Sequence, residues 1–257
     1  MKRLAPLFLL LIITASGCGL FPEKEDETKG WSVTKLYTEA KDLLADGDYP
    51  GAVQLYDILL GRYPFGKYAQ QAYLEKAYAH YRDQEPDSAI ATLDRFIKVY
   101  PKHPHVDYAY YLKGLINYNR GQTIFTKYVP VDHSERDPGA ARDSFEDFGA
   151  LLRRFPNSKY YEDARLRMTH LRNSLARYEI HVAEWYMRRH AYLAAANRGK
   201  YVLEHYQRSP YKEQALQYMI MAYEKLDMAD LRSDAVRVLK LNFPESEPKT
   251  YVHEEPS

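Results

Sequence analysis

An all-α solenoid of five helix pairs is the fold this sequence predicts, and three observations predict it. The first is a recurring stop signal. Tyr63-Pro64, Tyr100-Pro101, Phe155-Pro156 and Phe243-Pro244 each close an apolar segment of helical period, with Tyr206 before Pro210 as a looser fifth case. Proline lacks an amide hydrogen and its ring clashes with the preceding turn, so a helix ends just before it. The second is a pair of fixed offsets upstream of the prolines. A small residue stands twelve positions back (Ala52, Ala89, Ser144) and a large apolar one eight back (Tyr56, Leu93, Phe148). The third is another small residue earlier in each unit, at Ala40, Ala77 and Gly114, spaced by 37 both times. Small residues let two antiparallel helices approach closely, and the larger ones fill the space between them. A fixed period of this length marks a repeat array.

The first pair is expected at about 32–64. Its segment Ala40-Lys-Asp-Leu-Leu-Ala-Asp-Gly47-Asp48-Tyr49-Pro-Gly-Ala52 resembles the first-helix end, turn and second-helix start of the tetratricopeptide repeat, with Gly47 and Asp48 supplying turn and cap. The second pair, at 68–101, repeats the pattern. The third, at 105–156, is enlarged: Gly114 and Ser144 are 30 residues apart where the first two units need 12. The extra length includes Gln122 to Asp137 with Pro130, expected as a long loop over 122–137. In the fourth, at 159–208, Lys159 to His190 contains no proline or glycine, so its first helix is expected to be long. The fifth lies at 211–243. Repeats 1–3 thus form an N-terminal part over 32–156, and repeats 4–5 a C-terminal part over 157–244. Residues 18–31 and 245–257 are expected as a flexible tether and a flexible tail, being charged and poor in apolar residues.

The N-terminus reads as an address. Lys2 and Arg3 precede an apolar run from Leu4 to Ile13, then Ala15-Ser16-Gly17-Cys18. The run is too short to cross a bilayer core that needs about 20 helical residues, so residues 1–17 are a secretory signal peptide. A cysteine directly after small residues resembles a bacterial lipobox, although Ala15 stands where leucine is more usual. Cys18 is then the lipidated (palmitate-bearing) first residue of an exported protein.

Composition excludes several functions. Losing residues 1–17 removes Lys2 and Arg3 from 36 basic residues and none of 35 acidic ones, leaving a formal charge of −1. With no basic excess to neutralise phosphates, nucleic-acid binding is not expected. One cysteine permits no internal disulfide. No zinc, phosphate-loop, dinucleotide or nucleophile-elbow motif occurs. His103-Pro104-His105 lacks further ligands, and the pairs Glu135 with Asp137 and Glu162 with Asp163 lack a catalytic partner. A non-enzymatic protein without cofactor or metal is expected.

The compositional excess is 25 tyrosines against 9 phenylalanines. Solenoids use their concave faces to hold extended peptides. Aligning Ala40, Ala77 and Gly114 projects onto that face Tyr37, Lys41 and Leu44, then Leu74, Tyr78, Tyr81 and Arg82, then Tyr108, Tyr111 and Tyr118. Aromatic rings beside Lys41 and Arg82 suit a peptide with aromatic side chains and a free carboxylate.

Asp94-Arg95-Phe96-Ile97, Arg62-Tyr63-Pro64-Phe65-Gly66, Arg136-Asp137-Pro138 and Phe155-Pro156-Asn157-Ser158 followed by Tyr160, in this order behind a lipobox, resemble the BamD family of tetratricopeptide-repeat lipoproteins. The resemblance runs from about Thr34 to Pro244. It implies a periplasmic scaffold of the outer-membrane β-barrel assembly machinery, anchored by lipid to the outer membrane. It also implies partners: a POTRA domain of the barrel subunit BamA, accessory lipoproteins such as BamC and BamE, and unfolded outer-membrane proteins. Arg198, in Ala196-Asn197-Arg198, matches a family position at the BamA interface. Gly19 stands where aspartate would signal inner-membrane retention. The rival reading is a peptidoglycan- or cell-division-associated repeat adaptor lipoprotein.

Overall fold

The computed structural model describes residues 26–120 and 138–251, and all regular structure among them is helical. Ten helices follow one another as antiparallel neighbours: α1 (Val33–Asp46) with α2 (Tyr49–Arg62), α3 (Lys67–Arg82) with α4 (Pro86–Val99), α5 (Val106–Arg120) with α6 (Gly139–Arg154), α7 (Tyr161–Arg188) with α8 (Tyr192–His205), and α9 (Lys212–Lys225) with α10 (Ala229–Asn242). This is an all-α solenoid of five tetratricopeptide-like pairs. The expected 122–137 loop lies outside the described residues, as do the signal peptide and Cys18.

Each second helix ends in the same way. Tyr63, Tyr100, Phe155 and Phe243 adopt φ between −125° and −138° and give their amide to the carbonyl four residues back. The following proline cannot continue the ladder. The turns between first and second helices also recur, in a form that only one of them advertises. Asp48, Glu85, Ala191 and Met228 each donate an amide hydrogen to a carbonyl five residues back, at 2.9–3.0 Å. This Schellman closure requires a left-handed residue just before it. Unit 1 uses Gly47, whereas units 2, 4 and 5 place Gln84, His190 and Asp227 there at φ 62°, 59° and 55°. A side chain in that conformation costs about 1 kcal/mol or more, which the closure must offset.

The recurring small and large residues form the interior. Ala40, Ala52, Ala77, Ala89 and Ser144 are fully buried, as are Tyr56, Leu93 and Phe148. Gly114 meets Phe148 so closely that an added Cβ would stand 2.6 Å from the ring, so this helix crossing depends on the missing side chain. The 28-residue α7 packs on both α6 and α8, and so joins the three N-terminal pairs to the last two.

Two expectations about the ends need correction. The tether is fixed from Asp26 onward. Arg62 at the end of α2 donates to the Thr28 carbonyl at 2.7 Å and its hydroxyl at 2.8 Å, and pairs with Asp26. The tail is fixed as far as Tyr251, because buried Gln217 on α9 donates to the Glu247 carbonyl at 2.8 Å and accepts from the Lys249 amide at 2.9 Å. Low apolar content suggested freedom, but side-chain bonds to backbone replace the core that these segments lack.

Candidate functional site: the tyrosine face

The first helices of neighbouring units touch, α1 with α3, α3 with α5 and α7 with α9, while the second helices make no comparable contact. The array therefore curves with its first helices inside. On each of them one stripe is buried: Leu36 and Ala40 on α1, Ala69, Ala72 and Ala77 on α3, Ala109 and Leu112 on α5. The tyrosines flank that stripe and reach across to the next first helix.

From α1, Tyr37 donates to Glu75 Oε1 on α3 at 2.9 Å, and Tyr56 of α2 donates to Oε2 at 2.6 Å. Gln71 gives the same carboxylate a third donor at 3.1 Å. Burial first, and then Glu75, push both phenols far above their ordinary pKa, so both remain neutral donors. On α3, Arg82 donates to Tyr78 Oη at 2.9 Å and lies over the Tyr49 ring at 5.2 Å. Tyr81 lies 6.5 Å from Tyr78 and accepts from Asn119 of α5 at 2.7 Å. From α5, Tyr111 donates to Asp163 of α7 at 2.8 Å and stacks on Tyr160 at 4.5 Å. Tyr108 approaches Tyr160 at 5.7 Å, and burial followed by the Tyr160 phenol pushes its pKa up to about 12. Arg167 covers Tyr118 at 5.0 Å and binds Asp163 at 2.6 Å.

The six projected tyrosines thus form one row from α1 to α7, half-buried, with Lys41 and Arg82 exposed beside them. The hydroxyls of Tyr37, Tyr78, Tyr81 and Tyr111 are committed to neighbours, while all six rings stay partly open. Leu74 does not belong to the face. It is 3 % exposed and packs in the core of units 2 and 3, because the apolar stripe is wider there than the projection allowed. Sequence reasoning missed Glu75, Asp163 and Arg167 as members of the row. Each is a charged residue on a first helix one step beyond a tyrosine's reach, a relation that no local pattern displays.

Arg198 lies elsewhere, on α8. One Nη donates to Glu179 Oε2 at 3.0 Å, while Arg142 of α6 holds Oε1 at 2.9 Å. Glu179 itself is 1 % exposed. Burial works against both guanidinium charges, and the Glu179 bonds more than offset it, so both pKa values rise. Sequence reasoning missed Glu179, although it stands in the apolar stripe Leu175, Ala176, Ile180, Ala183 of α7.

Among the described residues no group of three or more His, Cys, Asp or Glu could hold a metal ion. No described helix is long and apolar enough to cross a membrane. What the row offers is aromatic surface with adjacent positive charge.

Comparison with known proteins gives consistent matches. The family model described as YfiO, outer membrane lipoprotein, matches residues 30–239. A protein of Neisseria meningitidis serogroup B named outer membrane protein assembly factor BamD is 44 % identical over 249 residues, covering 96 % of this chain and 93 % of that one. Its namesake in Neisseria gonorrhoeae is 47 % identical over 219 residues, covering 85 % and 82 %. That of Xylella fastidiosa strain Temecula1 is 38 % identical over 246 residues, covering 94 % and 84 %.

Proposed function

This chain belongs to the YfiO outer membrane lipoprotein family, and we propose that it acts as a non-enzymatic scaffold that binds unfolded outer-membrane proteins on its tyrosine face during their assembly. Its relatives are outer-membrane protein assembly factors, and it shares that broad role. The observation that carries the finer reading is the continuous row of half-buried tyrosines flanked by Lys41 and Arg82. Repeats 1–3 receive the client in this reading, and repeats 4–5 hold the POTRA region of BamA. Arg198 keeps 37 % of its side chain exposed beyond the Glu179 bond, which leaves donors for an acidic POTRA residue. The lipid on Cys18 holds the scaffold to the periplasmic side of the outer membrane, beside accessory lipoproteins of the BamC and BamE kind.

A labelled peptide ending in an aromatic residue with a free carboxylate tests the client site by fluorescence anisotropy. An aromatic pair contributes about 0.5–1.5 kcal/mol beyond area burial. Tyr78→Ala, Tyr81→Ala or Tyr111→Ala alone should therefore weaken binding roughly two- to tenfold, and any two together should nearly abolish it. The corresponding Tyr→Phe changes keep the rings and should keep binding, while losing the hydroxyl bonds to Asn119 or Asp163. Double alanine variants that bind like the parent, or that melt well below it, would assign the tyrosines to the solenoid core alone.

A further inference from the structure

We propose that the cleft between α6, α7 and α8 is a second docking site, for an acidic segment of a partner protein that carries an apolar side chain. The cleft has a volume of about 750 Å³, within the range of ~300–1,000 Å³ that binding sites occupy. Phe145, Leu152 and Met168 give it an apolar floor, and Arg165, Arg172 and Arg208 stand around that floor. It lies apart from the tyrosine face. At about 100° per residue, the cleft residues Arg165, Thr169 and Arg172 stand on the opposite side of α7 from Asp163 and Arg167.

The charges in the cleft are unbalanced. Glu204 is the one carboxylate lining it, and Lys200 sits 3.7 Å from that group. Arg165 is matched by Glu162 at 2.9 Å. Among the described residues Arg172 has only a neutral partner, the Asn173 side-chain oxygen at 3.3 Å. Among the described residues neither Arg172 nor Arg208 has a carboxylate within ion-pair reach. Burial first, and then the charge of Arg208, lower the pKa of Arg172 from its ordinary value, so the two guanidinium groups repel each other over an apolar floor. His205 and Tyr161 also line the cleft; His205 stacks on Tyr201 at 4.0 Å, and neither adds a carboxylate.

Two like charges held together beside a hydrophobic surface are relieved by an arriving carboxylate, which can take the planar fork of each arginine. An apolar side chain next to that carboxylate would cover Phe145, Leu152 and Met168. Neither interaction alone explains the cleft: an isolated anion leaves the floor wet, and an apolar ligand leaves the arginines opposed.

The test uses the full chain in detergent with a fluorescein-labelled peptide of eight glutamates around one phenylalanine. The lysine counterpart of the peptide and phosphatidylglycerol vesicles are run in parallel. The parent should bind the glutamate peptide and not the lysine one, and the affinity should fall with salt. Arg172→Gln with Arg208→Gln keeps much of the stem packing and should weaken binding at least about tenfold. Arg172→Lys with Arg208→Lys should recover part of it. The Gln pair should melt no lower than the parent, since it removes a repulsion. Equal binding of both peptides, undiminished binding by the Gln pair, or arginine-dependent binding of the vesicles without the peptide would overturn the proposal.

Discussion

Replacing Arg142 and Arg198 together by methionine is expected to destabilise the protein by about 3–5 kcal/mol, the usual consequence of leaving a buried charge without its partners. Glu179 is 1 % exposed and both its oxygens are taken by these two arginines, at 2.9 and 3.0 Å. The three residues come from α6, α7 and α8, so the triad fastens the N-terminal three pairs to the C-terminal two. Adding Glu179→Leu to the double variant should recover most of the loss, because an apolar triad of similar volume does not carry the desolvation penalty. Urea unfolding of a soluble form beginning at residue 19 measures both. A triple variant as unstable as the double one would locate the loss in packing of the arginine stems. The triad also bears on partner binding. Arg198→Leu alone removes one partner of Glu179, so a loss of BamA binding by that variant counts only if its melting temperature is retained.

Cys18→Ala is expected to convert a membrane-bound protein into a soluble periplasmic one. A single acyl chain gives marginal, reversible binding, with a constant of about 10⁴ M⁻¹, and each further buried CH₂ adds about 0.8 kcal/mol. Several chains on Cys18 would therefore hold almost irreversibly, and their loss would leave no described helix able to substitute. Fractionation of cells with a carbonate wash, together with the mass of the native N-terminus, checks this. An alanine variant that stays in the membrane fraction, with no acyl mass on the parent, would remove the anchor from the account.

The helix pairs were legible because their signals are local. A proline after an aromatic residue, a glycine at a left-handed turn and a small residue every 37 positions each act within one or two helical turns. The turns at Gln84, His190 and Asp227 were hidden because side chains occupy a conformation that glycine would have announced. The tyrosine row could be projected from register alone, since first helices pack at constant phase. Its partners could not, because Tyr37 meets Glu75 and Tyr111 meets Asp163 across 38 and 52 residues. The fixed ends failed for the same reason: Arg62 reaches Thr28 across 34 residues, and Gln217 reaches Lys249 across 32. Glu179 alone left a usable trace, a carboxylate in the middle of an apolar stripe, which on a helix calls for a buried cation.

Purification of the tagged full-length protein from native membranes, in mild detergent, tests the central claim most directly. A scaffold of outer-membrane protein assembly should bring with it a large β-barrel subunit bearing POTRA domains, in constant proportion across salt washes. Recovery of cell-wall or division enzymes with no barrel subunit would contradict the account and favour the adaptor reading.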